Sequence, residues 1–314
     1  MTETMMAFER VEKRYGATRA LRGLTMSVSH GEMFGLIGPD GAGKTTTIRL
    51  ACGLVKPDAG TVRLAGRDPV REHHAITGAV GYLSQRFTLY GDLSIDENLA
   101  FFAEIHGVRD HGGRRERLLE IARLTPFRGY LADKLSGGMK KKLALVCTLI
   151  HEPQLLILDE PTTGVDPVSR REFWMLLSEF LSQGITIVMA TPYLDEAERC
   201  SRVALLHEGQ ALAIDTPGTL RSELPGQVIE IVADPHDRAI AVLSGAAYVD
   251  DVQSFGERVH ARLASDAPAD VGERLRSTLG EAGIRTTSLR RVPTSLEDVF
   301  IARIRAAPRQ GGQS

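Results

Sequence analysis

Aromatic residues make up only 5% of the chain, cysteines number three, and the formal net charge is -2 over 314 residues. Each shortage removes a class of explanation. Scarce aromatics leave the core to Leu, Val, Ile and Ala. Cys52, Cys147 and Cys200 match no close metal-ligand spacing, so reduced and mostly buried thiols are expected. A near-neutral charge lacks the basic excess of a general nucleic-acid binder, and "RRER" at 114–117 reads as a solvated helix face. No run approaches the roughly 18 apolar residues that span a bilayer, so any membrane role is expected to come through a partner. The opening "MTETMMAFERVEKRYG" has no long apolar core behind a basic head, and no signal peptide is expected.

What is present is an alternation of strands and helices. "MFGLIG" (33–38), "AVGYLSQ" (79–85), "LLILDEP" (155–161) and "ITIVMA" (185–190) read as core strands. The first segment, before residue 33, reads as short strands and turns. Residues 86–150 read as mostly helical, with Ser94 and Glu97 as a capping box. Asp166 before Pro167 marks a helix start, and that helix is expected to run to about Ser182. This pattern argues for a parallel α/β sheet. After about residue 218 the texture changes to a small mixed domain. The expected organisation is an α/β nucleotide-binding domain over 1–220, with a helical subdomain at about 86–150. A small α+β accessory domain of ferredoxin-like type follows over 221–305, closed by a helix with Ser295 and Asp298 as a cap pair. Residues 306–314 are expected to be a disordered tail.

"GPDGAGKTT" (38–46) carries the chemistry. It matches G-x-x-x-x-G-K-T between an expected strand and an expected helix, the context of a P-loop. Gly38, Pro39, Asp40, Gly41, Ala42, Gly43, Lys44, Thr45 and Thr46 would wrap phosphate oxygens with inward amides at a positive helix end. Lys44 can reach the terminal phosphates, and Thr45 can offer its hydroxyl to magnesium. Asp159 and Glu160 end an apolar strand, so alternation turns them to different sides. Asp159 is assigned to the metal and Glu160 to polarising the attacking water.

With "LSGGMKKKL" (135–143) the sequence resembles the ATPase subunit of ABC transporters over roughly residues 6–220. The fold implied is a P-loop NTPase of the ABC type with a helical subdomain, and the activity is ATP hydrolysis with ATP and Mg2+. "GYLSQRFTLYGDLSIDENL", "ERCSRVALLHEG" and "SLEDVFI" resemble the subgroup serving ABC-2-type exporters of drug- or lipid-like cargo. The resemblance implies further roles. Tyr15 would stack on adenine. Gln85 would sense magnesium, the attacking water and the membrane partner. Ser136, Gly137 and Gly138 would touch the γ-phosphate held by the opposite subunit, and Asp166 would cross the dimer interface. Two chains, identical or different, would sandwich two ATPs head to tail. The chain would sit at the cytoplasmic face of the membrane, peripheral through its permease, and no nucleic-acid partner is implied. Lys140, Lys141 and Lys142 read as a solvated or partner-facing patch.

One position departs from the family. After "ITIVMA" a histidine usually follows a threonine or similar residue, and this chain has Pro192. Proline has no side-chain donor for the γ-phosphate or the catalytic water. Locally, Thr191 is expected to cap the next helix, with Pro192 in its first turn and Asp195 and Glu196 near its positive end. The expectation is an ATPase slowed or dependent on its partner, with Tyr193 or a water as substitute donor. The alternative is a regulatory ATP-binding subunit without productive hydrolysis. A soluble ABC ATPase acting on DNA or ribosomes is a third reading, disfavoured by the near-neutral charge and the lack of a long coiled-coil insertion.

Overall fold

Apolar runs become strands buried on both faces, and their polar ends converge on one edge of a sheet. This arrangement comes from a computed structural model that describes residues 3–85 and 89–306. The chain divides into two units, Met1–Thr216 and Pro217–Ser314. The division falls a few residues before the boundary expected at 220.

The first unit opens with β1 (Thr4–Tyr15) and β2 (Thr18–Ser29), antiparallel strands of 12 residues each. These replace the short strands expected there. Their register shifts in several places, and such bulges dilute the alternation that marks a long strand. β3 (Met33–Ile37) is buried along its whole length. It leads through the glycine-rich loop into α1 (Lys44–Ala51). β4 (Ala59–Leu64) joins β1 to complete a three-stranded sheet, and α2 (His73–Thr77) precedes β5 (Val80–Leu83).

The helical stretch holds α3 (Ile95–Ile105), α4 (Gly112–Ile121) and α5 (Gly137–Leu149). The first has the reciprocal Ser94–Glu97 capping box, and Ser136 caps the third. Then come β6 (Leu155–Asp159), α6 (Pro167–Ser182), β7 (Thr186–Thr191), the short α7 (Leu194–Ala197), β8 (Arg202–His207) and β9 (Gln210–Asp215). The main sheet runs in the order β5-β6-β7-β3-β8-β9, parallel except for the final hairpin. Phe34, Leu36, Leu155, Ile157, Val188 and Ala190 belong to the core shared with the N-terminal strands. In such a sheet, ligands gather at the carboxyl ends of the strands.

The second unit begins with α8 (Pro217–Ser222) and then runs β10 (Val228–Asp234), α9 (His236–Ser244), β11 (Val249–Phe255), β12 (Arg258–Leu263), α10 (Val271–Glu281) and β13 (Arg285–Val292). The β-α-β-β-α-β succession with order β11-β12-β10-β13 is ferredoxin-like. Ile229, Ile231, Leu243, Val259, Leu275 and Leu279 form its core. α11 (Leu296–Ala306) starts with a reciprocal pair: Ser295 N–H donates to Asp298 at 2.8 Å and Asp298 N–H to Ser295 Oγ at 3.1 Å. The tail expected at 306–314 lies outside the described residues from 307 onward, as do residues 86–88 at the start of the expected helical subdomain.

Candidate functional site

The loop 38–43 leaves the central strand β3 and enters α1. Gly43 has φ +103°, and a Cβ there would lie 2.8 Å from the Ala20 carbonyl oxygen. At Gly38 a Cβ would meet the Leu206 oxygen at 2.2 Å. Only glycine allows the chain to wrap so tightly at these two places. The first turn of α1 has no acidic residue and no side-chain cap, which leaves its amides for an incoming anion. An open cleft of about 620 Å³ lies over this turn. That is within the usual range for a small-molecule site. Asp40, Gly41, Ala42, Gly43, Lys44, Thr45 and Thr46 line it, with Gln85, Glu160 and residues of β2.

The charged groups converge there. Lys44 is buried, and its ammonium donates to the carbonyls of Gly38 at 2.8 Å and Pro39 at 3.1 Å. Glu160 lies 3.6 Å from that ammonium, and Gln85 Nε2 donates to the same carboxylate at 3.0 Å. Thr45 Oγ1 donates to Asp159 at 3.2 Å. The adjacent acids therefore face different partners. Burial pushes the Asp159 carboxyl up, against the Thr45 hydrogen bond and with the Glu160 charge adding to the rise. The same buried charge adds to the burial that lifts Cys52 and Tyr82 to about 12. Glu160 itself has φ +50°, in the left-handed region. Such a backbone in a residue other than glycine costs about 1–3 kcal/mol and concentrates at functional sites.

The other expected site residues stand apart from this cleft. Tyr15 is 43% exposed at the end of β1, with the Lys13 ammonium 5.5 Å from its ring centre. Ser136 accepts from Met139 N–H at 3.3 Å, Gly137 lines a separate groove, and Gly138 is buried against Ser169. Asp166 accepts from the amides of Val168 and Ser169 at 3.0 Å, and the Ser169 hydroxyl, ahead of these amides, holds its carboxyl below the usual range. Lys142 corrects the solvated-patch expectation: it is buried and paired with Glu172 at 2.9 Å.

The segment after β7 also differs from expectation. α7 begins at Leu194 with Tyr193 before it, so Pro192 precedes the helix rather than filling its first turn. Thr191 Oγ1 accepts from Tyr193 N–H at 3.1 Å and does not cap the helix. Tyr193 lies against Arg170, 5.3 Å from its ring centre, and neither it nor Pro192 is among the described residues lining the cleft. Sequence reasoning treated Glu196 as a helix-end charge. The structure buries it completely and gives it Thr162, Thr191 and Arg170 as donors. An acid beside another acid in a short polar stretch carries no periodic signal, so this hub was not legible in advance.

The cleft suits a polyphosphate with a hard cation. No cluster of three or more His, Cys, Asp or Glu suited to a metal occurs among the described residues. The candidate donors are the Asp159 carboxylate, the Thr45 hydroxyl and the side-chain amide oxygen of Gln85, which lines the same cleft. Magnesium is commonly held this way, with the substrate's phosphates completing its shell. Among the described residues no helix is long and apolar enough to cross a membrane.

Similar proteins carry the same architecture. The family described as ABC transporter matches residues 21–163. The probable multidrug ABC transporter ATP-binding protein YbhF of Escherichia coli (strain K12) is 40% identical over 309 residues, covering 96% of this chain. The chain spans 52% of that relative's length, about half. The Nod factor export ATP-binding protein I of Burkholderia thailandensis is 39% identical, covering 96% of this chain and 97% of its own. The solved structure of an ATP binding subunit of an ABC transporter superposes with a TM-score of 0.63 at 31% identity, over 70% of this chain and 92% of that one. The cbiO1 protein of Clostridium perfringens, part of the transporter complex cbiONQ, gives 0.64 at 27% identity over the same shares.

Proposed function

The chain belongs to the ABC transporter family as an ATP-binding subunit, and from there we propose that it is the ATP-hydrolysing motor of an exporter. The observation that carries this reading is the meeting of the glycine-rich loop, Lys44, Gln85 and Glu160 in one cleft. Lys44 and the α1 amides would hold the β- and γ-phosphates. Thr45, Asp159 and the amide oxygen of Gln85 would hold Mg2+, which when bound offsets phosphate charge. Glu160, oriented by Gln85, would polarise the attacking water. Tyr15 would stack on the adenine.

Ser136, Gly137, Gly138 and Asp166 lie outside the cleft of their own chain, which supports a role in a partner's cleft. Two subunits, identical or different, would then close over two ATPs and reset the permease on opening. The names of the multidrug and Nod factor export relatives favour export, and the resemblance of the sequence to the ABC-2-type subgroup makes the partner an ABC-2-type permease, with the chain peripheral at the cytoplasmic face. A regulatory subunit without productive turnover is the second reading, favoured by the absence of a donor at Pro192.

The test is Mg-ATP turnover by the chain with its membrane partner, against a Glu160→Gln control. Wild-type phosphate release above the control supports the motor. Turnover equal to the control, with ATP still retained in equilibrium dialysis, selects the regulatory reading. Failure to retain ATP at all overturns both.

A further inference from the structure

Glu196 has no place in the chemistry above, yet it is among the most completely buried charged side chains in the first unit, at 0% exposure. Its carboxylate accepts from Thr162 Oγ1 at 2.5 Å, from Thr191 Oγ1 at 2.6 Å and from Arg170 Nε at 2.9 Å. These donors come from separate places. Thr162 lies two residues beyond Glu160, Thr191 ends β7 beside Pro192, and Arg170 lies in the first turns of α6, just past Asp166. Arg170 also grips Asp195 at 2.6 Å and lies against the Tyr193 ring. Val165 N–H donates to the Thr162 carbonyl at 3.1 Å, so the loop from Glu160 to Asp166 closes into a turn on the residue that Glu196 holds.

A buried ion pair is weak evidence for stability, because desolvation offsets much of its attraction. A fully satisfied one instead fixes geometry. Here it fixes the loop that holds Glu160 at its left-handed φ. We propose that Glu196 is a positioning residue for hydrolysis, one that locks the 160–166 loop, the end of β7 and the start of α6 into a single unit. The proposal rests on the ATPase reading of the cleft. Motion of α6 at a subunit interface would reach Glu160 through Arg170, Glu196 and Thr162.

The experiment uses the full chain, wild type against Glu196→Gln and Thr162→Val. Glu196→Gln keeps the size and one acceptor oxygen, and Thr162→Val keeps the carboxylate, so both remain testable if Glu196→Ala fails to fold. In both variants kcat is expected to fall, by about tenfold in Glu196→Gln, with KM for ATP within about twofold of wild type. Backbone amides of 160–166 are expected to lose protection from hydrogen exchange. The double variant is expected to cost less than the two singles combined. A purely structural role would lower the folded fraction and leave kcat per ATP-retaining molecule unchanged, and that result overturns the proposal. Unchanged exchange at 160–166 overturns it as well, whatever the turnover. A wild-type chain that retains ATP without turnover would instead refute the motor reading. The exchange measurement would then still show whether Glu196 locks the 160–166 loop, while its role in hydrolysis would fall with the motor reading.

Discussion

Restoring a histidine at position 192 should accelerate ATP hydrolysis. In the parallel sheet Ile37 pairs with Thr191, and Asp159 with Ala190. The residue after β7 is therefore level with Gly38 on one side and close to Glu160 on the other. Pro192 is half-buried there and offers no donor. A hydrogen bond to a charged group is worth about 1.5–3 kcal/mol, and if all of it falls on the transition state kcat rises roughly ten- to 150-fold. The exchange has a cost. Losing proline loosens the unfolded chain by about 0.4–1 kcal/mol, so the melting temperature should fall by a few degrees. The new amide N–H sits at a half-buried position before α7 and can meet water. Steady-state phosphate release by wild type and Pro192→His, with Glu160→Gln as the baseline, decides the matter. KM should stay within about twofold, because the gain belongs to the transition state. Unchanged or lower kcat in a folded Pro192→His chain would show that the missing donor is not what limits turnover.

Two further outcomes follow from the same geometry. Lys44→Ala removes the buried ammonium facing the phosphate loop, and ATP retention in equilibrium dialysis should weaken by about ten- to 100-fold or more, with undiminished retention refuting its role. In the second unit His260 is raised chiefly by its hydrogen bond to Asp298, with Glu230 adding to the rise, and Asp298 is lowered because bonds to His260 and Ser295 outweigh its burial. The His260 contribution is complete below its unfolded value near 6.5 and disappears as pH rises through the raised folded value. The Asp298 contribution is present above 3.8 and disappears as pH falls through its lowered folded value. Stability of this unit should therefore be greatest between about pH 4 and 6.5 and decline as pH rises above 6.5, and a melting temperature in His260→Gln with the same decline would refute the assignment.

Much of this was legible because local chemistry and tertiary position agreed. Ser94, Ser136, Asp166 and Ser295 announce helix starts, and each accepts a backbone N–H where such a residue should. The apolar runs of β3 and β6 announce a buried sheet, and their ends deliver the phosphate loop and Asp159. What was missed depends on contacts between distant residues. The long β1–β2 pair hides behind bulges that break the two-residue period. Lys142 looked like its neighbours Lys140 and Lys141 until α6 placed Glu172 against it. Glu196 is 34 residues from Thr162 and 26 from Arg170, and nothing in its surroundings signals burial.

Most of the Lys44 side chain is withdrawn from solvent before any nucleotide arrives. At 4% exposure it is held by carbonyls of its own loop. Most of the dehydration of that cation thus falls in folding and not in ligand capture. A triphosphate then exchanges bonds with an ammonium that is already held and largely buried, whereas a flexible exposed lysine would first have to be immobilised and stripped of solvent. The timing of that expense separates a site that captures a polyphosphate quickly from one that must build itself around each new arrival.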